Sequence, residues 1–115
     1  MGQLTTHVLD TMHGRPAAGM AVALWRQGDS APLRELVLNA DGRADGPLLS
    51  AAALQAGRYR LVFAVADYFR GAGVALPEPP FLGDVVIEFG LADAAAHYHV
   101  PLLVSPWSYS TYRGS

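Results

Sequence analysis

Apolar and polar residues alternate with a period of two through most of the chain, a pattern that predicts strands. LTTHVLD puts Leu4, Thr6 and Val8 on one face and Thr5, His7 and Leu9 on the other. GMAVALWR, after the turn signal HGRPAAG, predicts a second strand, and PLRELVLN a third. The third closes in ADGRADG, whose two Asp-Gly pairs mark tight turns. GRYRLVFAVA aligns Tyr59, Leu61, Phe63 and Val65 opposite Arg58 and Arg60. DYFRGAG predicts a short helical turn, and the LPEPP beyond it cannot be a central strand because proline removes ladder donors. GDVVIEFG turns Val85, Ile87 and Phe89 inward, and HYHVPLLVSP with WSYSTYRG forms a last pair around Ser105-Pro106. LLSAAALQAG has room only for a brief helix.

About seven or eight short strands with one short helix predict an antiparallel β-sandwich. A small barrel fits less well, because Pro79, Pro80 and the helix interrupt the succession of strands. Strand parity then sorts the polar residues. In HYHVPLLV the core face is Tyr98, Val100, Leu102 and Val104, so His97, His99, Pro101 and Leu103 face outward. In WSYSTYRG, Ser108, Ser110 and Tyr112 share one face and Tyr109 and Thr111 the other. A slip of one residue would reverse every one of these assignments.

Composition narrows the function classes. The 115 residues suit one domain spanning 1–115 with a modest core. Hydrophobic residues make up 51% and charged residues only 16%, so part of the surface is expected to be covered by further copies of the chain. A net charge of −2 without any basic block argues against nucleic acid and anionic membrane as partners. No apolar run approaches the about 20 residues that span a bilayer. MGQLTTHVLD lacks the basic start and apolar segment of a signal peptide, and a cytoplasmic location is expected. With no Cys, the chain has no disulfide, thiolate metal site or Cys nucleophile.

The candidate chemistry lies on the outward faces. His7, His97 and His99 all fall there. They are ordinary surface histidines, or His97 and His99, at i and i+2, begin a metal site that lacks further local ligands. Arg43 between its two turns reads as a solvated loop residue, and His13 and Arg15 as turn residues. Asp10 is placed to brace the turn after the first strand. No nucleophile elbow or phosphate-cradling glycine loop is present.

LTTHVLDTMHGRPAAGM near the start, DGR in the middle and HYHVPLLVSPWSYSTYRGS at the end resemble the 5-hydroxyisourate hydrolases, the transthyretin-related enzymes of urate breakdown. The terminal YRGS is the most specific element. The resemblance implies a transthyretin-like all-β sandwich of two four-stranded sheets with one short helix. It also implies a homotetramer, a dimer of dimers whose central channel holds the sites. Carried over residue by residue, it implies catalytic roles for His7, Arg43, His99 and Ser115. Substrate contacts would come from His7, Arg43, Tyr112, Arg113 and Gly114. The related hormone carrier has Lys, Glu and Thr where this chain has His7, Arg43 and His99, and Thr in place of Tyr112. A carrier of small aromatic ligands is therefore the alternative function. Trp107 stands where Phe or Tyr is more usual.

The implied reaction is hydrolysis of 5-hydroxyisourate to 5-hydroxy-2-oxo-4-ureido-2,5-dihydro-1H-imidazole-5-carboxylate, with no metal and no cofactor. Two imidazoles would divide the base and acid duties, and Arg43 would serve as a permanently cationic clamp. Which imidazole is the base stays open at this level. Tyr112 would narrow the channel, and the Ser115 hydroxyl and carboxylate would join the site, with Gly114 allowing the chain to approach closely.

Overall fold

In the computed structural model, which describes residues 2–115, the chain runs through β1 (Gln3–Asp10), β2 (Arg15–Pro16), β3 (Ala21–Arg26) and β4 (Arg34–Val37). It continues through β5 (Leu49–Ser50), a turn of 3-10 helix (Ala51–Ala53), β6 (Gly57–Phe63), α1 (Val65–Gly71), β7 (Val85–Leu91), β8 (His97–Val104) and β9 (Tyr109–Thr111). One sheet has the order β2-β1-β8-β9, with β5 also pairing β1, and the other β4-β3-β6-β7. The two-sheet sandwich with one α-helix agrees with the pattern of alternation. Val65 departs from it: the β6 strand ends at Phe63, and Val65 opens α1 while keeping its buried side chain.

One pairing departs from the antiparallel expectation. β1 and β8 run parallel over their full length, from Gln3 opposite His97 to Asp10 opposite Val104. Almost the whole chain lies between the two strands, so no hairpin imposes an antiparallel sense, and a parallel pair is free to form. The inward parity survives. Leu4, Val8, Val100, Leu102 and Val104 pack against Val22, Leu24, Tyr59, Leu61, Phe63, Val85 and Ile87 of the other sheet. The Tyr98 hydroxyl accepts the Ala92 and Asp93 N–H groups at 3.1 and 2.9 Å and so ties the loop before β8 to that strand.

At the far end of β1 a polar network replaces apolar packing. The Asp10 side chain is fully buried. It accepts the His13 N–H at 2.9 Å, contacts His13 Nδ1 at 2.6 Å and accepts the Tyr68 hydroxyl at 2.8 Å. Asp10 thereby braces the turn into β2 and fastens it to α1. Burial alone would raise its pKa, but the His13 and Tyr68 hydrogen bonds outweigh burial and hold it below the ordinary 3.8. A carboxyl with a depressed folded pKa stabilises fully above its unfolded value, and that contribution disappears as pH falls through the folded value.

Asp10→Asn is therefore expected to cost about 1–3 kcal/mol at neutral pH. In urea unfolding, the difference from the parent protein should shrink progressively below pH 3.8. A difference that stays constant with pH would show that the charge of Asp10 is not what stabilises the turn.

Candidate active site

The free edge of β1 is shared by three short segments. β5 pairs with it at Gln3 and Leu4, and β2 at Leu9 and Asp10. Between them Arg43 forms an isolated bridge opposite His7. The Gly42 carbonyl accepts the Val8 N–H at 2.9 Å. A Cβ on Gly42 would stand 2.6 Å from the Val8 carbonyl oxygen, and its φ is +73°, so only glycine fits this turn. Asn39 completes it: its side-chain oxygen accepts the Asp41 and Arg43 N–H groups at 2.9 and 3.2 Å. The Asn39 N–H in turn donates to the Arg43 carbonyl at 2.8 Å. Arg43 is exposed but does not hang free on a loop, because its backbone is fixed to the sheet.

The parallel ladder adds the second imidazole. Thr5 lies opposite His99, and His7 opposite Pro101. Two rows therefore cross the outer face: Arg43, His7 and Pro101 in one, and Thr5 and His99 in the next. Strand spacing and rise per residue set His7 and His99 on a diagonal of roughly 8 Å, enough for a small ring or a water between them. His97 is exposed at the end of β8.

The chain after β9 extends the second row. Gly114 and His99 exchange backbone hydrogen bonds at 2.7 and 3.1 Å. Pairing is lost between Thr111 and Gly114, where Pro101 offers no N–H. The Thr111 hydroxyl instead donates to the Pro101 carbonyl at 2.7 Å. A Cβ on Gly114 would come within 3.1 Å of the His99 Cβ and 3.3 Å of its Cδ2, so this glycine serves close approach to the imidazole. Tyr112 is 62% exposed. Ser115 is exposed as well.

Arg113, expected among the substrate contacts, turns elsewhere. Its guanidinium lies over the Tyr98 ring, 4.4 Å from the centroid, and donates to the His97 carbonyl at 3.2 Å. Alternation explains this, since the residue between Tyr112 and Gly114 must face the other side of the strand. The structure thus gathers His7, Arg43, His99 and Gly114 and leaves Arg113 out. It adds Thr5, whose Oγ1 lies 2.8 Å from His99 Nδ1. Parity already placed Thr5 beside His7, but only the parallel register reveals its partner.

His99 is half-buried. Burial, then the Arg43 cation, then His7 hold its pKa below the ordinary 6.5, so the imidazole is neutral at neutral pH. Among the described residues, no three His, Cys, Asp or Glu side chains gather closely enough to hold a metal ion. No helix in that range is long and apolar enough to cross a membrane.

A neutral imidazole, a second imidazole and an arginine whose backbone is tied to the sheet thus share one outer face of the β-sandwich. The chain belongs to the HIUase/Transthyretin family, whose model matches residues 4–114. It is 59% identical over 117 residues to the 5-hydroxyisourate hydrolase of Ralstonia nicotianae, covering 100% of both chains. Among solved structures it resembles Klebsiella pneumoniae 5-hydroxyisourate hydrolase, at 40% identity and a TM-score of 0.83 over 100% of both chains. It also resembles sea bream transthyretin in complex with thyroxine, at 27% identity and a TM-score of 0.85, covering 97% of this chain and 94% of that one.

The electrostatic description of the cluster can be tested without any substrate. In an NMR titration His99 should protonate below pH 6.5, and Arg43→Gln should raise its midpoint more than His7→Gln does. An unchanged midpoint in Arg43→Gln would mean that the guanidinium does not act on this imidazole.

Proposed function

We propose that residues 1–115 form one hydrolase domain that opens 5-hydroxyisourate by adding water to a ring amide, a step of urate degradation. The observation that carries this reading is the placement of His7, Arg43 and His99 on neighbouring rows of one face. Full-length similarity to proteins named for that hydrolysis supports it. In the reaction the water oxygen bonds to the amide carbon, the carbon–nitrogen bond breaks, and the departing nitrogen gains a proton. His7 and His99 handle the water and the proton. Arg43 offers a planar set of donors to the developing oxyanion or to a urate-like edge. The scheme requires neither metal nor cofactor. Tyr112 narrows the space above His7, while Gly114 and Ser115 close the row beside His99.

The cluster lies on an open face, with His7 and His99 only half-buried and Tyr112 exposed. Hydrolysis gains from excluding bulk water. We assign that cover to further copies of the chain, assembled as a dimer of dimers, and place the enzyme in the cytoplasm. Similarity to thyroxine-bound transthyretin keeps a carrier as the alternative, yet a carrier has no use for two imidazoles beside a cation.

The test is to generate 5-hydroxyisourate freshly with urate oxidase and follow its absorbance with and without the protein. Decay should accelerate in its presence, and an unchanged decay would refute the hydrolase reading. Replacing His7, Arg43 or His99 by Ala should lower kcat/KM at least about 100-fold. Full activity in a soluble His99→Ala protein would remove His99 from the mechanism.

The approach of Gly114 to His99 gives a separate expectation. Gly114→Val should leave the fold intact but displace the imidazole and lose most of the hydrolysis. Retained activity would separate the chain beyond β9 from catalysis. Light scattering, expected to report four chains, tests the assembly independently.

A further inference from the structure

We infer that Thr5 is a positioning residue that fixes the tautomer of His99, so that this imidazole meets the substrate carrying its proton on Nε2. The inference rests on the hydrolase reading and settles which imidazole does what within it.

Thr5 Oγ1 stands 2.8 Å from His99 Nδ1, and the parallel register sets the two residues directly opposite. A hydroxyl carries one proton that needs an acceptor. Among the described residues, Nδ1 is the one hydrogen-bonding partner of the Thr5 hydroxyl. If Nδ1 carried the proton, the half-buried hydroxyl would accept from it and its own proton would have no acceptor within the protein. The satisfied arrangement has Thr5 donating to Nδ1, which leaves the proton of the neutral ring on Nε2.

The opposite edge of the ring is held as well. His99 Cδ2 lies against Gly114, where a Cβ would stand only 3.3 Å away. Turning the ring over would put a carbon against the Thr5 hydroxyl and a polar nitrogen against the glycine, breaking the one hydrogen bond. Thr5 and Gly114 together leave Nε2–H as the free edge of the ring, on the face shared with His7 and Arg43.

A neutral imidazole offering Nε2–H is a hydrogen-bond donor. It can polarise a ring carbonyl and then protect the oxyanion, as neutral imidazoles do in other active sites. It cannot accept the proton of the attacking water at that nitrogen. That duty falls to His7, whose row also contains Arg43. The two histidines, alike in sequence and in exposure, therefore separate into donor and base through one threonine.

The test reads the tautomer directly. In protein labelled with 15N at histidine, long-range proton–nitrogen spectra above the His99 midpoint show which ring nitrogen carries the proton, with His99→Gln supplying the assignment. The parent protein should show His99 protonated on Nε2. The isosteric Thr5→Val should lose the single tautomer, and its kcat should fall about tenfold with KM little changed, the worth of one hydrogen bond. Thr5→Ser should restore both, which a purely structural role would not require. A parent His99 protonated on Nδ1 would overturn the inference, as would a Thr5→Val protein with unchanged tautomer and kcat. If Thr5→Val does not fold, the parent spectrum still decides. Failure of the hydrolase reading would appear separately, as a parent protein that leaves 5-hydroxyisourate decay unchanged while its tautomer is read normally.

Discussion

The parallel ladder between β1 and β8 is the constraint on which the site depends. It pairs Thr5 with His99 and His7 with Pro101, and thereby sets two imidazoles on adjacent rows of one face. A shift of the pairing by one residue would turn every member of one strand to the opposite side. The apolar faces prevent that shift, because Leu4 and Val8 on one strand and Val100, Leu102 and Val104 on the other must all be buried together. Burying side chains of this size stabilises by about 1.5–3 kcal/mol each. The geometry of a polar site is thus enforced by the hydrophobic effect acting on the reverse face of the same two strands.

That division explains what could be read in advance. Period-two alternation identifies the strands and assigns His7, His99 and Thr5 to outward faces without knowledge of any partner. It contains no information on which strands are neighbours or in which sense they run. The parallel pairing, and with it the contact from Thr5 to His99, was therefore invisible. Arg43 illustrates a second limit. In sequence it resembles any solvated turn residue. Its fixed place depends on a gap between β5 and β2 along β1, and on Gly42 and Asn39 shaping a turn that fills it. Arg113 was expected in the site through resemblance, yet simple alternation after Tyr112 already sends it to the Tyr98 side.

Charge balance in the cluster follows from the same placement. Arg43 is always cationic, so a protonated His99 would put a second positive charge on the same small face. Partial burial adds to the cost. The outcome is a ring that stays neutral where an ordinary histidine would be partly protonated. Sea bream transthyretin shares the sandwich, which indicates that the frame tolerates a change of purpose. The fold alone does not determine chemistry, so any difference in purpose must lie in side chains such as those standing in the two rows on this face.

The segment after β9 supplies the last step. A glycine approaching an imidazole this closely limits the ring's freedom more than a flexible side chain would, because backbone cannot move aside without breaking its own pairing. Gly114 keeps that pairing with His99 even though Pro101 interrupts the ladder before it. The interruption has a consequence of its own. Tyr112 stands opposite Pro101, where the missing proline N–H leaves the Tyr112 carbonyl without a ladder donor. Support is concentrated at His99, with Thr5 on one edge and Gly114 on the other. The ring that shares this face with His7 and Arg43 is thereby held from both sides, by a hydrogen bond at Nδ1 and by backbone against Cδ2.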